Sequence, residues 1–386
     1  MTKEEKLEQV CSQFTFMGNF DKAEPYGDGH INDTFKVTYV DDDKEPTQYI
    51  LQRVNHLVFK NTVGLMENIE HVTSYLSSRI TKDQQADGYE ILTLIKTKGD
   101  KSYIQDDEGN FWRAYVFVKN ATGHTFAEDV NMLYEAGKAF GQFQRLLSEY
   151  PAESLIETIE GFHNTVWRFE NLKNAVQEDL RQRADQCREE IQFALSREDM
   201  ASTLVRGLES GVIPLRVTHN DTKINNVLLD DATGNGRCVI DLDTVMPGSA
   251  LYDYGDAIRS CGSTIAEDGE NLEDLKVNFE KYKAYTKGFL EAMGQNLTPQ
   301  EIKWLPLAAI IMTLECGVRF LTDYLEGDNY FKIHKENHNL IRARNQFKFV
   351  AEMEMHIDVM TEIVNKYWKD HGVYGDFVKP FINYFE

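Results

Sequence analysis

His219, Asp221 and Asn226 fit the pattern H-x-D-x-x-x-x-N, and Asp241 and Asp243 follow a short way downstream. Phosphoryl transfer asks for these residue types. A phosphoryl group in flight carries charge on its oxygens, which Mg²⁺ held by carboxylate and amide oxygens neutralises. A further carboxylate must orient the attacking hydroxyl and accept its proton. By spacing, Asp221 is that base, and Asn226 and Asp241 are the metal ligands. Two bare carboxylates about 6 Å apart repel by about 3 kcal/mol at an effective dielectric of 20, so such a site favours a bound cation. Asp243 lies two residues past Asp241 and shares its face if the chain is extended. It either holds a second metal or anchors the site from behind.

The elements around these residues must bring them together. The apolar runs Val227–Leu229 and Cys238–Ile240 flank a polar turn, Asp230–Arg237, with two glycines, which is a β-hairpin signature. Its open end joins the cluster that precedes it to Asp241. Upstream, Gly27 and Gly29 form a turn before a strand in which Phe35, Val37 and Tyr39 alternate with polar residues. Such a turn lets backbone approach phosphates closely. The next strand, Thr47–Val54, holds Gln52 and Arg53 where a kinase strand carries its phosphate-pairing lysine. Successive strand residues face opposite ways, so the two cannot both enter a cleft without a bulge. Either Arg53 contacts phosphate or backbone groups hold the nucleotide.

Phe59 to Leu76 repeats at helical spacing, with Glu67 and Glu70 read as solvated charge or as ionic partners for that strand. Tyr89–Ile95, Ser102–Gln105 and Phe111–Val118 read as further strands, and Lys119–Gly123 as a hinge. Beyond it the pattern is helical: Leu133–Leu147, Asn164–Ser196 as one helix or a kinked pair, then stretches near Leu272–Met293, Pro299–Leu325 and Lys335–His371. The expected fold is α+β and bilobal. A small lobe, residues 1–119, has an antiparallel sheet and a helix and binds nucleotide; a larger helical lobe, residues 120–386, carries the catalytic hairpin and the acceptor.

The string THNDTKINN resembles the catalytic loop of the aminoglycoside phosphotransferase and choline kinase group, small-molecule relatives of protein kinases. Together with VIDLDTVMPGSALYDYGDAIRS, YILQRVNHLVF and VRFLTDYLEGDNYF, it is similar to N-acetylhexosamine 1-kinases, from about Tyr26 to about Phe347. The resemblance implies a protein-kinase-like fold, ATP as co-substrate, Mg²⁺ as cofactor, and transfer to the anomeric hydroxyl of N-acetylglucosamine or N-acetylgalactosamine. It further implies that His30, with Asn32 beside it, reaches the sugar, that Arg319 and Tyr330 line the sugar pocket, and that His219 and Asp253 support the catalytic loop. Read without it, Asp253 caps the start of its own helix, and Arg319 is a buried charge paired with Glu315, Asp323 or another acid. The strand position held by Gln52 departs from the kinase pattern. Two rival functions follow: a kinase of another small hydroxyl acceptor (amino alcohol, aminoglycoside or other sugar), and a non-catalytic binding module.

Composition bounds the partners. The chain has 386 residues, 42% of them hydrophobic, which suits two lobes with an ordinary core. A net charge of −22 argues against nucleic acid or an anionic membrane, both of which need basic surface. ATP stays compatible, because a local cradle and Mg²⁺ suffice. The five cysteines are widely spaced with no C-x-x-C, as expected for reduced thiols in a cytoplasm. The N-terminal MTKEEKLEQV has no apolar core of a signal peptide, and the apolar stretch near Leu305–Val318 is broken by Glu315. A soluble cytoplasmic enzyme is therefore expected. Walker-type and G-x-S-x-G runs are absent from the sequence.

Overall fold

Alternation of apolar and polar residues turns the first third of the chain into a sheet. The computed structural model describes residues 2–27, 31–43, 45–82 and 88–370. Helix α1 (Lys3–Cys11) precedes β1 (Asn19–Pro25), β2 (Asp33–Val40) and β3 (Pro46–Val54); then come α2 (Thr62–Arg79), β4 (Ile104–Gln105) and β5 (Phe111–Val116). The strands form one antiparallel sheet in the order β1-β2-β3-β5-β4. One face, with Phe35, Val37, Tyr39, Tyr49, Leu51, Trp112 and Ala114, packs on Leu7, Val10 and Cys11 of α1. The opposite face carries Ile50, Val54 and Tyr115 and joins α2 in the main core.

Two expected strands are shorter here. Ser102–Gln105 contracts to Ile104–Gln105, and Tyr89–Ile95 makes a single bridge, Leu94 to Tyr115, at the end of β5. The Lys119–Gly123 segment is more than a link. Its β6 (Ala121–Gly123) adds a third strand to the hairpin of β8 (Val227–Asp230) and β9 (Gly236–Val239). Preceding the hairpin, β7 (Arg216–Thr218) pairs with β10 (Met246–Gly248).

The remainder is helical: α3 (Val130–Leu146), α4 (Thr165–Glu178), α5 (Arg188–Leu195), the short α6 (Glu198–Ala201) and α7 (Thr203–Glu209), then α8 (Ala250–Cys261), α9 (Phe279–Met293), α10 (Pro299–Glu326), α11 (His338–Met355) and α12 (Ile357–Asp370). The stretch 164–196 breaks because Asp179 turns left-handed (φ 39°) and its Oδ1 accepts from the amides of Arg183 and Ala184. Helices α3 and α9 pack closely at Gly137 and Gly288, where a Cβ on either would run into the other's backbone. Helix α10 is long and apolar enough by composition to cross a membrane, yet most of it is buried as the packing centre of this lobe. Thr298 and Glu301 close a capping box at its start, and Glu301 also takes a bidentate pair from Arg216 at 2.7 and 2.8 Å. That pair ties α10 to the strand feeding the catalytic loop.

Candidate active site

The loop after β7 is fixed by one buried carboxylate. Asp253 Oδ2 accepts from the amide of His219 (2.9 Å), Oδ1 from the amide of Asn220 (2.7 Å), and Gln144 Nε2 donates to Oδ2 as well. The helix itself is capped by Ser249, so Asp253 braces the neighbouring loop and does not cap its own helix. Burial raises the Asp253 pKa, while His219 and the two amides pull it back. His219 donates from Nε2 to the Ile240 carbonyl (2.9 Å), which leaves Nδ1 to accept from the amide of Asp221 (3.3 Å). Its ring packs edge-on against Phe140 and Phe143. Asn220 adopts φ 64°, which turns the chain so that Asp221 leaves the buried loop half-exposed.

Asp221 sits between a cation and an amide. Lys223 Nζ lies 3.0 Å from Oδ1, and Asn226 Nδ2 donates to Oδ2 (3.1 Å) and to the Asp221 carbonyl (2.8 Å). Burial opposes the Lys223 charge, but the Asp221 and Asp256 carboxylates more than offset it and raise its pKa. The spacing argument singled out the base and gave Lys223 no role. Asn226 and Asp241 meet at the hairpin's open end: Val227 pairs with Val239, and the Ile240 amide donates to the Asn226 carbonyl (2.9 Å). Asp241 keeps solvent contact, yet the protein around it desolvates its charge, and Asp243 and Asp221 repel it. Its pKa rises to about 6. This donor set suits a divalent cation: a carboxylate short of countercharge beside an amide whose Nδ2 is engaged, leaving Oδ1 as the ligating atom.

Asp243 does not share that face. The chain turns left-handed at Asp241 (φ 60°) and enters a single 3₁₀ turn, Leu242–Thr244, so extended alternation fails. Asp243 is buried, ion-paired with Arg113, and accepts from Asn32 Nδ2 at 2.6 Å. It is the anchor of the two alternatives. Arg113 stands directly opposite Gln52 in the β3–β5 register, and its Nε and Nη2 donate to Gln52 Oε1 (3.0 and 2.8 Å). Gln52 Nε2 in turn donates to Thr34. Burial works against the Arg113 charge; Asp243, Tyr115 and Asp241 together outweigh it and raise the Arg113 pKa.

Neither residue expected at the lysine position is free for phosphate, therefore. Gln52 is bound to Arg113 and Thr34, and Arg53 is exposed on the other face, paired with Asp33 (2.7 Å). The buried cation sits one strand over. A lone arginine inside FWRAYVFV was the available signal. Glu67 is exposed, and Glu70 pairs with Lys96. Asn32, expected at the sugar, spans the lobes instead: beyond Asp243, its Oδ1 accepts from the Asn55 amide (2.9 Å). Gly27 adopts φ 75° with open space beside it, as a turn glycine should, while Gly29 and His30 lie outside the described residues.

With this geometry in view, comparison with known proteins is informative. The model of the phosphotransferase enzyme family (APH) matches residues 22–285, well over half of the chain. The chain belongs to this phosphotransferase family. Solved structures share the fold at low identity. A choline kinase from Cryptosporidium parvum Iowa II is 15% identical with a TM-score of 0.58, covering 95% of this chain and 99% of the other. A microcompartment-associated aminopropanol kinase is 13% identical with a TM-score of 0.56 over 92% and 98%. An amicoumacin kinase in complex with AMP-PNP, Ca²⁺ and Ami is 12% identical with a TM-score of 0.58 over 95% and 94%. The protein is thus a phosphotransferase of this family, and it shares its protein-kinase-like fold with these kinases.

One wall of this phosphotransferase runs from the loop after β7 to α10. His163 bridges them: Nδ1 lies 2.9 Å from Glu315 Oε1, and Nε2 faces the Asn220 carbonyl at 3.4 Å. One turn after Glu315, Arg319 is ringed by Phe162, Tyr330 and Phe331, with its guanidinium carbon 5.1, 5.8 and 5.5 Å from their centroids. Among the described residues Arg319 forms no salt bridge, although Tyr330 and Glu315 favour its charge. Glu315 is engaged by His163, and Asp323 accepts from the amides of Asn329, Tyr330 and Phe331 at 2.8, 2.8 and 2.9 Å. Asp323 thereby shapes the turn after α10 that presents Tyr330, which is 63% exposed, beside Arg319.

Proposed function

We propose that this phosphotransferase moves the γ-phosphoryl group of ATP, with Mg²⁺, to the anomeric hydroxyl of an N-acetylhexosamine. The observation that supports the reading is the contact of His163 with both Glu315 of α10 and the Asn220 carbonyl, with Arg319 one turn after Glu315 and Tyr330 near its guanidinium. The sugar assignment itself rests on the resemblance of the VRFLTDYLEGDNYF segment and its neighbours to N-acetylhexosamine 1-kinases. Residues 1–119 then serve as the nucleotide lobe and 120–386 as the acceptor lobe. The five cysteines form no disulfide, in keeping with a cytoplasmic enzyme.

In this mechanism Asp221 accepts a hydrogen bond from the acceptor hydroxyl and takes its proton as the new P–O bond forms and the bond from the γ-phosphorus to the bridging oxygen breaks, releasing ADP. Asn226 holds one oxygen of the Asp221 carboxylate and Lys223 the other, which fixes its orientation. Asn226 Oδ1 and Asp241 would hold Mg²⁺, which when bound offsets charge on the transferring phosphoryl oxygens. Asp253 fixes the loop, so the base needs little reorganisation at the moment of transfer. An anomeric hydroxyl is more acidic than others on the ring, which eases its deprotonation by a carboxylate. The position of transfer follows from how the pocket seats the sugar.

The test is regiochemical. N-acetylglucosamine should lose reducing-sugar reactivity in step with ATP consumption, and its methyl glycoside should not turn over. Phosphorylation of the glycoside at a rate near that of the free sugar would rule out a 1-kinase.

A further inference from the structure

Helix α8 carries a second buried carboxylate, Asp256, one turn after Asp253 and on the same face. Asp253 takes the amides of His219 and Asn220, and Asp256 Oδ2 accepts from the amide of Thr222 at 3.1 Å. The Thr222 hydroxyl donates to the Asp253 carbonyl (2.5 Å), so the loop is tied to the helix on both sides of Asp221. Asp256 Oδ1 takes Arg259 Nε at 2.7 Å, and Arg259 Nη1 reaches on to Glu267 (2.5 Å). Burial opposes the Asp256 charge, yet the cations around it, Arg259 first, outweigh it and lower its pKa. An ionised carboxylate this deep in a helix is costly unless it is fully partnered. Lys223 is one of those cations. Burial works against its ammonium, while Asp221, in contact at 3.0 Å, and Asp256 hold it charged.

We propose that Asp256 is a positioning residue for the transfer, acting through Lys223: it shares the lysine's charge with Asp221, so that the base is held in place and stays basic. The inference rests on the reading of Asp221 as the base. A lysine bound to one carboxylate alone stabilises the anion and makes it a poorer proton acceptor. A second carboxylate acting on the same lysine offsets that effect, and Asp221 keeps the orienting contact at less cost in basicity. The two oxygens of Asp256 are themselves committed to Thr222 and Arg259, so it works on the base only at second hand. A purely structural Asp256 would tie α8 to Arg259 and to the segment bearing Glu267, and Lys223 would be indifferent to it.

The experiment measures kcat and both KM values for ATP and N-acetylglucosamine in the wild type, Asp256→Asn, Lys223→Met and the double variant. Asparagine keeps an oxygen for the Thr222 amide and removes the charge. Asp256→Asn should lower kcat about tenfold with both KM values within about twofold of the wild type. In the Lys223→Met background the same change should cost nothing further, because a residue that acts through Lys223 has no lever once the lysine is gone. An equal loss in both backgrounds, or full kcat in Asp256→Asn, overturns the proposal. If Asp256→Asn does not fold because Arg259 has lost its partner, Asp256→Asn with Arg259→Met removes both charges and carries the same comparison. A second readout needs no acceptor: acetylation of Lys223 by N-hydroxysulfosuccinimide acetate at mildly alkaline pH, followed by peptide mass with Lys173 as internal reference. Asp256→Asn should speed the Lys223 reaction about threefold or more, since less of the amine stays protonated. An unchanged rate overturns the proposal. If N-acetylglucosamine is not phosphorylated, the sugar reading falls and the acetylation rate decides alone. Turnover near the wild-type rate in Asp221→Asn strikes the base reading, and this proposal with it.

Discussion

Asp221 has one oxygen on an ammonium and the other on an amide, so its charge is held while its remaining lone pairs stay available to a hydroxyl. Replacing Asp221 by Asn preserves the shape and removes the proposed base. We expect kcat to fall by about 10²–10⁴ with the melting temperature and ATP binding retained. A variant keeping more than about a tenth of wild-type kcat would show that the base lies elsewhere. This residue was legible in the sequence because its partners are local: His219, Asp221 and Asn226 share one short loop, and loop geometry follows from spacing. Arg113 was not, although it carries the buried charge of the small lobe. Its partners, Gln52 and Asp243, come from another strand and from beyond the hairpin. Register and a left-handed turn at Asp241 decided both, and neither leaves a local pattern.

Elements rather than single residues explain why Asp243 matters. Strands β3 and β5 present Gln52 and Arg113 on one face and the turn before β2 presents Asn32; Arg113 and Asn32 both reach a carboxylate from the other lobe, and Gln52 holds Arg113 in place. Removing one charge of a buried pair leaves the other uncompensated, which typically costs about 3–5 kcal/mol. Arg113→Met and Asp243→Asn should each destabilise the protein by an amount of that order. The double variant should recover much of the loss, because no unpaired charge remains. Strictly additive losses in chemical denaturation would mean the two side chains do not act as a pair. The same elements show where periodicity misleads. Tyr89–Ile95 has strand composition, yet only the Ile95 amide to Ala114 and the Val116 amide to Thr93 join it to β5 (2.8 and 2.9 Å). The hinge segment reads as a linker but pairs with β8, since pairing is a property of the neighbour as much as of the strand.

For the whole molecule, the net charge of −22 conceals the sign of the site. Overall acidity would suit a cationic acceptor, yet Lys223 pairs with the proposed base, Asp221, and Arg319 lies in the wall that His163 joins to the same loop. Total charge governs solubility and long-range steering; side chains within a few ångströms govern binding. The same contrast holds at the hairpin, where three carboxylates gather and Asp241 is left with the least countercharge. A ligand that binds only the folded state raises stability by RT ln(1 + [L]/Kd), about 2.7 kcal/mol at a hundred times Kd. ATP with Mg²⁺ should therefore raise the melting temperature of the wild type, and ATP in excess chelator should do so far less. In Asp241→Ala the Mg²⁺-dependent part of the shift should vanish, while the variant without ligand melts no lower than the wild type, because the lost carboxylate was repelled by its neighbours. A full Mg²⁺-dependent shift in that variant would move the metal away from the end of the hairpin and sink the assignment of Asp241 as its ligand.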